Sequence, residues 1–493
     1  MRHVLLTAGL LLGPAVAAAQ QAPQTPAALS LADAIAIARD QNPAYRQALN
    51  NRGPAAWGVR NAFSSLLIPS VTTAAGMSYT GPGSQTFLSS SFTQSVSTVS
   101  SFYDLSLSWQ LSGTTLSQPS LAKAQQHAVD EDIAGAANAL VTGITQQYLT
   151  VLQARDQAEV ARRMVARNEE FLKLAQARYG VGQATLIDVR QAQVARGQAT
   201  VALLRAETAV SVEKLRLFEN MGVVAPTDIQ VVQLTDTFPL QTPAWQLTDL
   251  LTMAEQQNPA LKALRARERA AAWGVRAATS TYGPAVSLSA GWSGFTQQFT
   301  DRDAVRANQQ TSLGNQRTAC LENNQIRASA GLTADDCDLF LWGTNYEQAL
   351  VDQTSVFPFN FTKQPFQARL TISLPIFTNF SRTQRISEAR AQHGDLEESV
   401  RARGLAVHTE VSQAFLTLQT AFRTTGLQDT NRTAAREQLQ LATERYRVGS
   451  GTFFELLDAQ VASLRAESDY VNAIYDYHKA LSALEAAVGR SLR

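Results

Sequence analysis

The stretch "ERYRVGSGTFFELLDAQ", residues 444–460, has an earlier counterpart in "ARYGVGQATLIDVRQAQ", residues 177–193, and the relation between them decides how the chain is built. In each, a run of good helix formers is broken by glycine and restarts at a threonine. Gly182 and Gly449 suit the left-handed conformation that ends a helix. Thr185 and Thr452 suit the cap of the next helix, with Asp188 and Glu455 three residues on as capping-box partners. Both stretches therefore read as tight helical hairpins that turn over 179–185 and 446–452.

Working outward, Tyr179 pairs with Tyr446, Gln193 with Gln460 and Met221-Gly222 with Val488-Gly489, all 267 positions apart. Nearer the N-terminus, "LADAIAIARDQNPA" (31–44) matches "LTDLLTMAEQQNPA" (247–260) and "AAWGVR" (55–60) recurs at 271–276, now 216 positions apart. The chain is an internal duplication, with repeats at 20–222 and 247–493 joined by a connector at 223–246. The second copy has 51 extra residues, most of them in the Gln, Asn, Asp and Thr-rich segment 296–365, which reads as an extended outer loop.

Each repeat has the order helix-strand-strand-helix-helix. Asn42-Pro43 and Asn258-Pro259 start a helix, asparagine as cap and proline at the first helical position. These helices should reach about residues 67 and 282, with a kink in the first at Gly53-Pro54, where the second copy has Arg269-Ala270. Strands follow at about 70–79, 102–111, 286–294 and 367–376. In "LSLSWQL", Leu105, Leu107, Trp109 and Leu111 fall on one face and Ser106, Ser108 and Gln110 on the other, and Ala368 to Ile376 repeat the alternation. A long helix over about 119–181 would span roughly 90 Å, and one over about 185–221 roughly 55 Å. One long helix beside two shorter ones end to end predicts a rod, strands at one end and glycine turns at the other.

The first 19 residues carry Arg2 and His3, an apolar run and Ala17-Ala18-Ala19, the pattern of a secretory signal peptide with the mature chain beginning near Gln20. Gly13-Pro14 interrupts that run too early for a membrane anchor, and no later stretch is apolar enough for a helical span. Cys320 and Cys337, the only cysteines, lie in one segment and suit a local disulfide in an oxidising compartment. With 42 Lys plus Arg against 41 Asp plus Glu and no basic run, nucleic acid is not an expected partner.

Two strands per repeat give four per chain, too few for a membrane barrel, whereas three copies give about 12 strands. For any single strand the alternation suits a soluble sandwich better; the long helices shift the reading. The doubled element order, the paired "QNP" starts, "SLPIF" after the last strand and the two "RYxVGxxT" turns resemble the TolC-type outer-membrane efflux family over essentially the whole mature chain. The resemblance implies a mainly α protein with a membrane β-barrel: a homotrimer with a 12-stranded barrel in outer-membrane lipid, four strands per chain, and a long α-helical coiled-coil barrel in the periplasm. It also implies a periplasmic adaptor and an inner-membrane pump of RND, ABC or MFS type as partners. The implied role is a passive exit duct for small molecules. A type I protein-secretion channel would share that duct, and a soluble periplasmic coiled-coil scaffold is the reading from another class.

No GxxxxGK[ST], GxSxG or HExxH motif occurs, and His3, His127, His393, His408 and His478 show no ligand spacing, so no enzyme activity, cofactor or metal is expected. The expected working parts are the hairpin tips, Tyr179, Gly182, Thr185, Tyr446, Gly449 and Thr452, as the adaptor dock. In a trimer Glu455 and Asp458, with Asp188 as the first-repeat counterpart, would form acidic rings favouring cations. This resembles the family's periplasmic constriction, while plain helix-start acidity explains the same residues. Gln191 stands where the second copy has Asp458. Tyr179 and Tyr446 could hydrogen-bond a carboxylate across hairpins or simply pack. Gly451 occupies the position where some relatives carry an arginine latch.

Overall fold

The computed structural model describes residues 28–492, apart from 88–89 and 95–96, so the expected signal peptide at 1–19 lies outside the described residues. Four long helices dominate: α1 (Gly113–Gly180), α2 (Leu186–Met221), α3 (Ser381–Arg447) and α4 (Phe453–Val488). Two compact units emerge, one from residues up to Asn51, Asp130–Ala263 and Arg401–Arg493, the other from Arg52–Val129 and Leu264–Val400.

In the first unit the duplication extends into the core. Ile144, Tyr148, Val151, Leu217 and Met221 are buried in one cluster, and Val411, Phe415, Leu418, Leu484 and Val488 occupy the positions 267 residues later in another. Leu217 and Leu484 are fully buried, each contributing about 2 kcal/mol by leaving water. Each cluster closes at a glycine. Gly222 and Gly489 end α2 and α4 at φ 79° and 85°, and a Cβ there would meet the carbonyl oxygens of Gln41 and Gln257 at 2.7 and 2.8 Å. The neighbouring asparagines work twice. Asn42 accepts from the Tyr45 N–H and donates to the Asn220 carbonyl at 2.8 Å; Asn258 accepts from the Leu261 N–H and donates to the Ala487 carbonyl at 3.0 Å. One side chain thus starts its own helix and satisfies the end of another. A short parallel ladder, Ala28–Leu29 with Gln233–Leu234, ties the connector to the N-terminal segment, and the buried Tyr148 hydroxyl lies 2.9 Å from the Leu29 carbonyl and 2.8 Å from Asp236 Oδ2.

The second unit holds a five-stranded antiparallel sheet in the order β1 (Ser70–Thr80), β2 (Thr98–Leu111), β3 (Ala285–Phe299), β4 (Gln367–Ser373), with the two-residue strand Thr362–Lys363 also paired to β3. Over Ser106–Leu111 of β2 the register gathers one chemistry on each face. Val71, Leu107, Ala290 and Ala368 form one row, Trp109, Leu288 and Leu370 a second, and Leu111, Val286 and Ile372 a third. The other face carries Ser70, Ser108, Ser289 and Arg369 in one row and Gln110, Ser287 and Thr371 in another. Its hydroxyls pair across the strands, Ser70 with Ser108 at 2.7 Å and Thr72 with Ser106 at 2.9 Å. The apolar face is exposed, with Val71 at 65%, Leu370 at 65% and Ile372 at 68%. Among the described residues the outer edges of β1 and β4 have no strand beside them.

Several boundaries differ from expectation for local reasons. The helix expected over 42–67 is two, Pro43–Asn50 and Arg52–Leu67, because Pro54 has no N–H for the Asn50 carbonyl; the copy with Arg269-Ala270 is one 21-residue helix, Pro259–Thr279. Helix α1 begins at Gly113, ahead of Pro119, since Ser112 accepts from the Thr115 N–H and holds a first turn before the proline. β4 stops at Ser373, two residues before Pro375, which cannot donate to a ladder. A further hairpin, Gly83–Phe87 with Ser90–Gln94, adds to the expected two strands of the first repeat. The segment 296–365 is not irregular: it contains the end of β3 and helices Arg302–Ser329 and Thr344–Gln353. Asp301 caps the first of these by accepting from the Asp303 and Ala304 N–H groups, and Cys320 is joined to Cys337, with Cα atoms 5.7 Å apart.

Candidate functional site

The two glycine turns come together in the first unit. Phe171, Ala175, Val189 and Ala192 from the first hairpin pack with Leu439, Tyr446, Phe453, Leu456 and Ala459 from the second. Both helix ends are Schellman motifs. Gly182 donates to the Tyr179 carbonyl at 3.0 Å and Gln183 to Arg178 at 2.8 Å, while Gly449 donates to Tyr446 at 3.2 Å and Ser450 to Arg445 at 3.0 Å. The glycines sit at φ 78° and 84°, where a Cβ is penalised.

An arginine closes each turn as well. Arg178 donates to the Gln183 carbonyl at 3.1 Å and Arg445 to the Ser450 carbonyl at 3.3 Å, at equivalent positions of the two repeats. Sequence reasoning missed this pair, because an arginine in the last turn of a helix reads as simple complement to the dipole. Arg178 does more: it donates to the Tyr446 carbonyl and lies 4.7 Å over the Tyr446 ring.

The helix starts then diverge. Thr185 accepts from the Asp188 N–H at 3.3 Å and Asp188 accepts from the Thr185 N–H at 2.8 Å, a complete capping box. Thr452 accepts from the Glu455 N–H at 3.2 Å, but the Glu455 carboxylate faces Arg445 at 3.5 Å instead of turning back. The expectation of two capping boxes thus holds for one copy only, because Arg445 competes for the carboxylate. Asp458 is exposed on α4, and Gln191, at its counterpart position, has a buried carbonyl oxygen without a hydrogen bond. Gly451 has no room to spare, since a Cβ would lie 3.0 Å from Arg445 and 3.2 Å from Glu455 Oε2.

The tyrosines also part company. Tyr446 is 3% exposed, edge-on to Phe453 at 5.7 Å, and its hydroxyl makes no hydrogen bond. Burial and the Asp188 charge push its phenol above the ordinary value, against a smaller opposing pull from Arg178. Tyr446 is a packing residue here, whereas Tyr179 is exposed at its tip.

The expectation that no histidine has ligand-like company needs correction: Glu268, His393 and Glu397 converge in the second unit. His393 and Glu397 are i,i+4 partners, and Glu268 comes from a helix remote in sequence.

The family model described as outer membrane efflux protein matches residues 34–223 and 351–490, which include both glycine turns, β1, β2 and β4. The chain belongs to the outer membrane efflux protein family. The match of this efflux-family chain omits 224–350, the region of the connector, β3 and most of the disulfide-bridged insertion. Its fold is shared with solved channels. The outer membrane protein VceC from Vibrio cholerae superposes with TM-score 0.65 at 18% identity, covering 94% of this chain and 97% of that one. The Campylobacter jejuni CmeC outer membrane channel gives 0.67 at 15% identity, covering 93% and 85%. The open state of the Neisseria gonorrhoeae MtrE outer membrane channel gives 0.65 at 19% identity, covering 94% and 89%.

Proposed function

We propose that three copies of this chain form a passive outer-membrane exit duct, each supplying four strands to a 12-stranded barrel, with small molecules such as drugs as cargo. The observation that carries the reading is the sheet: an apolar face left exposed, an opposite face with hydroxyl pairs at Ser70–Ser108 and Thr72–Ser106 and, among the described residues, two open edges. Such a sheet suits lipid outside and water inside once closed by neighbours. A soluble scaffold would have its apolar rows covered.

The paired turns are the proposed dock for a periplasmic adaptor and, through it, an inner-membrane pump. Gln183 and Ser450 are exposed at the tips. Cysteines placed there for cross-linking in cells should capture an adaptor protein, whose cognate pump identifies the cargo class. Recovery of the chain in the soluble periplasmic fraction without detergent would overturn the duct; capture of no adaptor from either tip would overturn the dock.

A further inference from the structure

Glu268, on the helix Pro259–Thr279, and His393 and Glu397, one turn apart on α3, meet in the second unit. Glu268 Oε1 is 3.0 Å from His393 Nε2, and Glu397 Oε1 is 3.7 Å from His393 Nδ1. One donor atom from each of the three lies within 4.8 Å of the others. A neutral imidazole can donate to only one of these carboxylates, and even an imidazolium leaves the three groups with a surplus negative charge. A divalent cation on a neutral imidazole and two carboxylates balances the charge.

We propose that Glu268, His393 and Glu397 form a binding site for a divalent transition-metal ion of the Zn2+ type, completed by water. The two carboxylates approach opposite ring nitrogens, and an ion takes only one of them; donors on a tetrahedral zinc ion, at bonds of about 2.1 Å, stand roughly 3.4 Å apart, so the three donor atoms, all within 4.8 Å of one another, close onto one ion by small side-chain rotations. The i,i+4 pair presents two donors from one helix face, and Glu268 approaches from the facing helix. An imidazole with two carboxylates selects borderline ions over Mg2+ or Ca2+, which favour all-oxygen shells. The groups are partly exposed, with side chains at 24% for His393, 28% for Glu268 and 59% for Glu397, so the ion can exchange with solvent. By the repeat offsets the first copy has Arg52, Gln126 and Asp130 at the equivalent positions, a fixed cation and a single carboxylate in place of the donor set. The site is specific to the second repeat, and its ion would clamp the helix Pro259–Thr279 to α3.

The test is Zn2+ titration by calorimetry into untagged, metal-stripped, full-length protein in detergent at pH 7.5. One saturable site per chain is expected, with a zinc-dependent rise in Tm, binding at least tenfold weaker in Glu268→Gln and lost in His393→Ala. Absence of saturable binding, or the same affinity in wild type, Glu268→Gln and Glu397→Gln, overturns the proposal. The two glutamine variants decide it should His393→Ala fail to assemble.

Discussion

Arg178 of the first glycine turn grips Tyr446 of the second: its guanidinium lies over the ring at 4.7 Å and donates to the Tyr446 carbonyl. The same side chain bonds the Gln183 carbonyl of its own turn, so one residue couples both tips. Arg178→Ala should lower the local opening free energy by about 1–2 kcal/mol, the scale of a partly desolvated cation–π contact with its hydrogen bonds. Hydrogen exchange over 444–452 should accelerate roughly five- to thirtyfold while the Leu217 and Leu484 core regions keep their protection. Unchanged exchange at the second turn would mean that the grip carries no energy.

Glu455 can be neutralised without removing its helix cap, because Thr452 accepts from the backbone N–H of residue 455 and not from its side chain. Glu455→Gln with Asp458→Asn should therefore leave the fold intact and reduce cation preference and divalent block in planar bilayers. Unaltered selectivity would return both residues to the role of helix-start acids.

Tyr148 and Tyr475 have phenols held well above the ordinary tyrosine value, first by burial and then by hydrogen bonds to Asp236 and Asp156. A raised folded-state value means that the folded protein retains the proton longer than the unfolded chain. Their stabilisation is complete below about pH 10 and lost as the pH climbs above it. Thermal melts should show an alkaline decline from about pH 10, shallower in Tyr148→Phe. At neutral pH that variant should cost about 1–2 kcal/mol through loss of the one hydrogen bond the hydroxyl donates, shared between the Leu29 carbonyl and Asp236 Oδ2.

Gly222→Ala and Gly489→Ala should each destabilise far more than an exposed helix substitution. The positive φ costs about 1 kcal/mol, and the added methyl would meet the Gln41 or Gln257 carbonyl as well. A drop in Tm for both, larger than for alanine at Gly197, which has no neighbour in reach, is the expected result.

Reduction, or Cys320→Ser, should loosen the insertion by on the order of 3 kcal/mol, as expected for a crosslink spanning 17 residues. Limited proteolysis should then cut within 302–353 and leave the long helices intact. Equal resistance with and without reductant would contradict this.

What the sequence revealed follows from where the information sits. Glycine, proline, asparagine and threonine act through their own backbone and nearest neighbours, so the two turns, the Asn-Pro starts and the strand alternation could be read directly. Other features depend on who competes. Nothing within "GSGTFFE" shows that Arg445 draws Glu455 out of its capping box, and nothing near His393 points to Glu268, 125 residues earlier. The helix Arg302–Ser329 escaped for a third reason: only Leu313 among its residues is buried, so it lacks the apolar stripe by which helices are recognised.

The sheet also constrains the order of events in the life of the chain. In water, a lone copy exposes the rows of Val71, Leu370 and Ile372; in lipid, it would leave the N–H and C=O groups along the outer edges of β1 and β4 without partners. If three copies close one barrel, as proposed above, neither solvent is a resting place for one copy, and entering the bilayer and meeting its neighbours would be a single concerted step.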